Sequence, residues 1–124
     1  MKDNFKQERF NLAAAFRWAA RLNMHEAIAN HFSLAVSDDG SQFLLNPIGM
    51  HFSQICASDL LLIDSNNTET MSQPNAPDAT AWAIHGAMHR NNLHARCILH
   101  VHSKYATILS CLEDKTMKPI DQNT

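Results

Sequence analysis

The apolar and polar positions of the chain change period several times, and each change marks an element. Leu12, Phe16 and Ala19 recur at helical spacing, with Ala13, Ala14, Ala15 and Ala20 adding intrinsic propensity. They predict a helix over 4–23, stopped at Asn23. The stretches His31 to Val36 and Gln42 to Asn46 read as two strands of a hairpin, joined by the turn-rich Ser37-Asp38-Asp39-Gly40-Ser41. Asn46-Pro47-Ile48-Gly49 is a second turn signal. Leu60 to Asp64 is short enough for a buried strand, and polar residues with two prolines make 65–77 a surface loop. Pro77 suits the first turn of a helix running to about Asn91. Ala95 to His102 reads as a strand, followed by Ser103 and a helix to about Leu112; the tail, Glu113 to Thr124, has no periodicity.

Strands alternating with helices imply an α/β domain with helices layered on a sheet. The early hairpin makes that sheet mixed or largely antiparallel, not doubly wound and parallel. With only Gly40, Gly49 and Gly86, the chain has no glycine-rich phosphate loop, so a dinucleotide fold has no support.

At 124 residues the chain fits one domain, 1–124. A hydrophobic fraction of 45% with 18% charged residues is ordinary for a globular chain. The net charge of −2 gives no electrostatic reason to expect nucleic acid or an anionic membrane as partner. The longest apolar runs are far shorter than the roughly 20 residues a membrane helix needs, and no signal-type segment follows the charged stretch Met1 to Arg9. Cys56, Cys97 and Cys111 are odd in number and form no CxxC pair, so they read as buried free thiols of a cytoplasmic protein.

The compositional anomaly is histidine, at positions 25, 31, 51, 85, 89, 94, 100 and 102. The sharpest pattern is His100-Val101-His102. Residues two apart on a strand project from one face, roughly 6.6–7 Å apart along the strand. Both imidazoles can therefore converge on one divalent ion, zinc or another first-row metal. Arg96 and Ile98 would share that face, with Cys97, Leu99 and Val101 forming an apolar face behind. Two ligands are fewer than a catalytic zinc site usually has. His85 and His89, one helical turn apart, could reach the site or line a wet helix face. His94 lies in the connection before the strand.

Four blocks then resemble the class II aldolase/adducin family, in family order and over nearly the whole chain. They are Ile28 to Ser33, Leu45 to Ser53 with Ala57 to Leu60 and Ile63-Asp64, Ala83 to Arg90, and Ala95 to Thr107. The resemblance implies a layered α/β/α domain of class II aldolase type, binding a divalent metal through His100 and His102. It implies a lyase or aldolase reaction on a small hydroxy-carbonyl substrate, in a homo-oligomer, a tetramer in the family. Ser33, Asn46 and Gly49 fall in the blocks that the resemblance assigns to substrate binding, and Thr80 keeps a hydroxyl near the family's phosphate-binding stretch. The family's acid/base glutamate, one turn before His85, is Ala81 here; Ile48 stands where a small polar residue is expected, and Asn30 replaces a glycine. His85 or His51 would then have to carry protons. These departures resemble the adducin-like branch, whose implied alternative is a non-catalytic binding or structural domain. The segment Met117 to Thr124 resembles family interior, so the chain is expected to be the N-terminal part of a domain, truncated before a third metal-binding histidine.

Overall fold

The computed structural model describes residues 5–74 and 76–119. Helix α1 (Lys6–Arg21) buries Leu12, Ala13, Phe16 and Ala19 along one stripe, as the periodicity predicts. Asn23 ends it by adopting a left-handed conformation, φ 54°. Its amide donates to Ala20 (3.2 Å) and that of Met24 to Ala19 (3.0 Å), which satisfies the helix's last carbonyls. The expected helix start at Asn4 and the tail from Ile120 lie outside the described residues.

Four strands, β1 (His31–Ala35), β2 (Gln42–Leu45), β3 (Leu61–Asp64) and β4 (Cys97–His100), form one sheet in the order β3-β2-β1-β4. Every pairing is antiparallel; Ser33 lies opposite Leu45 on one side and Ile98 on the other. Alternation along β1 and β2 divides the residues between two layers. Phe32 and Leu44 pack with Leu12, Phe16, Phe52, Ile55 and Leu60 under α1. Ala35, Phe43, Leu45 and Ile63 pack with Ala81 of α2 (Ala79–Asn91). The architecture is the expected α/β/α sandwich around an antiparallel sheet.

The hairpin between β1 and β2 touches the second layer directly. Gly40 has φ 71°, and a Cβ there would meet the carbonyl oxygen of His89 at 2.2 Å. Only glycine permits both the conformation and the approach.

Several expectations need correction. Pro77 precedes α2; the N-cap is Asp78, whose side chain accepts from the Ala81 amide at 2.9 Å. The 65–77 stretch contains a 3₁₀ turn, Thr68–Ser72, capped by Asn67. β3 is an edge strand with only Ile63 buried, because no fifth strand covers it among the described residues. β4 stops at His100, two residues early. Cys97 and Leu99 on its supposed apolar face are exposed, because α1 does not extend over this edge strand; Val101 alone packs at the rim of that core. Helix α3 (Lys104–Ser110) buries no residue. All three cysteines are free and exposed, not buried.

Candidate functional site

The α2 face of the sheet holds a buried polar network. Ser33 points from β1 toward α2, where His85 and His89 stand one turn apart. Its hydroxyl oxygen lies 2.5 Å from His85 Nδ1 and 2.8 Å from His89 Nε2. The hydroxyl donates to one ring nitrogen and accepts from the other, so one ring presents a lone pair to Ser33 and the other an N–H. His85 Nε2 continues the chain to His31 Nδ1 at 2.6 Å, and His89 Nδ1 donates to the Ala95 carbonyl at 2.9 Å. His85 and His89 thus face the sheet, not solvent.

Burial fixes the charge of this network. His85, with no exposed surface, is pushed down to about 3 by desolvation and then by neighbouring His31, His89 and His100. Desolvation also lowers His89, against the Ala95 carbonyl. It lowers His31 too, reinforced by His100 and opposed by Asp78. At neutral pH these rings are uncharged and serve as directed donors and acceptors.

At the mouth of the network His31 stacks on His100, with ring centroids 4.4 Å apart. His100 lies at the end of β4 and His102 just beyond it, and their Nε2 atoms approach to 2.9 Å. Tetrahedral coordination at about 2.0–2.1 Å would place two such nitrogens about 3.3 Å apart, so an opening of a few tenths of an ångström would admit an ion. Behind His102, Glu26 Oε2 lies 3.4 Å from Nδ1, the placement of a carboxylate that orients a metal-binding imidazole. Asn30 fixes the backbone here, accepting from the His102 amide at 2.7 Å and donating to the Glu26 carbonyl at 2.5 Å. This half-site fits two ligands of a divalent first-row ion. Among the described residues no group of three or more His, Cys, Asp or Glu is placed to hold one.

Beside it a cavity of about 130 Å³ is lined by Ile28, Ala29, Asn30, His31, Asn46, Ile48, Asp78, Thr80 and Ala81. Two of the sequence-derived substrate residues, Asn46 and Thr80, therefore share one wall system with His31. Ser33 lies beneath it, inside the histidine network. Gly49, φ 77°, occupies the turn after Ile48, with open space beside it. His51 belongs to a different cluster: its Nε2 is 2.6 Å from His25 Nε2, and its Nδ1 is 2.8 Å from the Ser53 hydroxyl. His25 lines a separate hollow with Glu26 and His102.

His31, Asn30, Glu26 and Asp78 were not singled out as site residues from the sequence. A usable signal existed for His31 and Ser33. They sit two apart on a strand whose intervening Phe32 is apolar, so a polar face had to meet something polar. The His85/His89 pair on α2 was that partner. Glu26 and Asp78 carried no such signal, because both lie in connections whose path depends on the whole fold.

A family model described as the Class II Aldolase and Adducin N-terminal domain matches residues 10–124. An adducin-related protein of Schizosaccharomyces pombe is 32% identical over 113 residues, covering 85% of this chain and 34% of that protein. The crystal structure of an aldolase II superfamily protein from Pseudomonas syringae superposes with a TM-score of 0.75 at 30% identity, covering 86% of this chain and 43% of that one. An L-fuculose 1-phosphate aldolase from Glaciozyma antarctica gives a TM-score of 0.71 at 25% identity, covering 86% and 44%. The chain spans less than half the length of each of these relatives.

Proposed function

Because the chain belongs to the class II aldolase and adducin family, we propose that it binds zinc or another divalent first-row metal through His100 and His102. On this reading a small hydroxy-carbonyl compound is held beside the metal, in the adjoining cavity, for a lyase-type reaction. The observation carrying the proposal is the convergence of the two Nε2 atoms with Glu26 behind one of them. A bound divalent ion would supply Lewis acidity toward a carbonyl oxygen. Thr80 and Asn46 shape the cavity, and Ser33 holds the His85 and His89 rings that back His31. Gly49 sets the turn that carries Ile48 to the wall.

Proton movement is the weak step. Ala81 is 1% exposed and packed among Ala35, Phe43, Leu45 and Ile63, so a methyl group stands where the family resemblance places a carboxylate. His85 can reach the cavity only through His31, and a ring held near 3 is a feeble base at neutral pH. His51, paired with His25, is the alternative carrier. We therefore expect aldol cleavage of sugar phosphates to be weak in this chain.

The test has two arms. Calorimetric zinc titration should show binding that His100→Ala and His102→Ala each weaken by 10-fold or more; unchanged binding in both variants would remove the metal assignment. A coupled assay over free and phosphorylated hydroxy-carbonyl substrates should give rates lower by about 10²–10⁴ than those of an Ala81→Glu variant. Robust turnover by the native chain would promote His85 or His51 to proton carrier. The second reading, an adducin-like binding domain without catalysis, is favoured by the methyl of Ala81 at the cavity wall and by the sealed His85, and no activity in either protein would support it.

Partners follow the same reading. The family implies a homo-oligomer, and exposed Leu99, Tyr105 and Ile108 along β4 and α3 support further protein against that side. The net charge of −2 favours neither nucleic acid nor an anionic membrane. No helix among the described residues is long and apolar enough to cross a membrane.

A further inference from the structure

The cavity beside the histidine pair is built from acceptors. Asn46 Nδ2 donates both its hydrogens to backbone, to the Asn30 and Pro47 carbonyls at 3.3 Å each. Its Oδ1 accepts from the Phe32 amide at 3.2 Å. Asn30 is engaged on both sides, by the Glu26 carbonyl and the His102 amide. The Thr80 hydroxyl donates to Asp78 Oδ1, which also accepts from the Ala81 amide at 2.9 Å. A carboxylate therefore already takes the amide nearest the cavity at the start of α2, the end of a helix that attracts anions. Both hydrogen bonds fall on Oδ1; among the described residues Oδ2 accepts none. Among the described residues no lysine or arginine lines the cavity, and Ile28, Ala29 and Ile48 complete its wall.

We propose that Asp78 is a specificity-determining residue that makes this cavity reject phosphate monoesters and accept small uncharged polyhydroxy-carbonyl compounds, one of whose hydroxyls donates to Asp78 Oδ2. The inference rests on the proposed function in assigning the cavity to substrate. A phosphate placed here would meet a fixed negative charge and few uncommitted donors. A hydroxyl meets an ionised acceptor, among the stronger hydrogen-bond partners available. The Thr80 hydroxyl and the Ala81 amide hold the Asp78 carboxyl below its ordinary range, so the charge persists into mild acid. The volume of about 130 Å³ suits a compound of three or four carbons.

Asp78→Asn isolates the charge, because asparagine caps a helix as well as aspartate does. Dihydroxyacetone, dihydroxyacetone phosphate and inorganic phosphate would be titrated into metal-free native and Asp78→Asn chains, reading amide shifts of residues 28–31 and 78–81 by NMR. The native chain should bind dihydroxyacetone at these residues and neither phosphate compound. The variant should bind dihydroxyacetone at least tenfold more weakly and gain measurable phosphate binding. Phosphate binding of equal strength in both chains overturns the proposal, and so does the absence of binding by all three probes to the native chain. Zinc titration is read separately. Zinc bound with phosphate admitted sinks the selectivity and spares the metal reading, whereas dihydroxyacetone bound with no zinc uptake does the reverse.

Discussion

The two faces of the central sheet are filled by opposite chemistry. Under α1, Phe16 stacks on Phe32 at 4.8 Å and meets Phe52 edge-on at 4.6 Å, among aliphatic residues. Under α2, the same strand presents His31 and Ser33 to His85 and His89, and only beyond them does an apolar cluster resume. The first face is held by non-directional burial and tolerates approximate shapes. The second is held by four hydrogen bonds whose donors and acceptors must all match, and a half-satisfied buried network is worse than none. Stability is therefore expected to reside on the α1 side, and sensitivity to protonation on the α2 side, next to the histidine pair.

The largest effect should come from the aromatic centre. Phe16→Ala removes a fully buried ring with two aromatic partners, and large-to-small changes of this kind cost about 3–5 kcal/mol. Chemical denaturation monitored by circular dichroism would measure it. A loss near 1 kcal/mol would mean that the α1 face is loosely packed, and the contrast between faces would fail.

Acid should act on the other face. His85 titrates near 6.5 when unfolded and is lowered to about 3 when folded, so the unfolded chain binds the extra proton between those values. Stability should then be level above pH 6.5 and fall as pH drops toward 3, with a limiting slope of about 1.4 kcal/mol per pH unit for one such group. His31 and His89, lowered in the same sense, steepen the upper part of that window. Denaturation midpoints measured from pH 7.5 to 4 in the native chain and in His85→Gln would separate this contribution, and parallel curves would refute it.

Ser33→Ala should cost on the order of 1–3 kcal/mol, because both ring nitrogens it serves, His85 Nδ1 and His89 Nε2, lose their buried partner. Ser33→Thr keeps the hydroxyl and should recover part of the loss if the added methyl fits. A neutral Ser33→Ala would show that water replaces the hydroxyl and that the network is not specified by it.

These two faces were unequally legible in the sequence. Helix α1 could be located from Leu12, Phe16 and Ala19, because apolar spacing reports burial directly, and the β1–β2 hairpin from its turn residues. The histidine network was half visible: the His85/His89 pair suggested a shared face, but Ser33, its partner, lies about fifty residues earlier. Only the sheet register brings them together. The pattern predicts β4 over Ala95 to His102, but the strand runs only from Cys97 to His100, two residues shorter at each end. His102 instead reaches His100 from the connection, held by Asn30 and Glu26. Local pattern shows where apolar groups go; which polar groups meet is set by non-local packing.

The smallest effect tests where the contrast ends, at β4. Ile98 points to the α2 side and is buried, whereas its neighbour Leu99 lies opposite Phe32 on the α1 side and is 54% exposed. Alternation alone would make both core residues, but α1 does not extend over the edge strand. Ile98→Ala should therefore cost about 2 kcal/mol or more, and Leu99→Ala should stay within about 0.5 kcal/mol. Both would be measured in dilute solution and again at a hundredfold higher protein concentration. A Leu99→Ala penalty that appears only in the concentrated sample would mean that a second copy covers this strand, as the proposed oligomer requires. A penalty above about 1 kcal/mol at both concentrations would show that Leu99 is packed within the chain itself, so that the α1 core continues across β4.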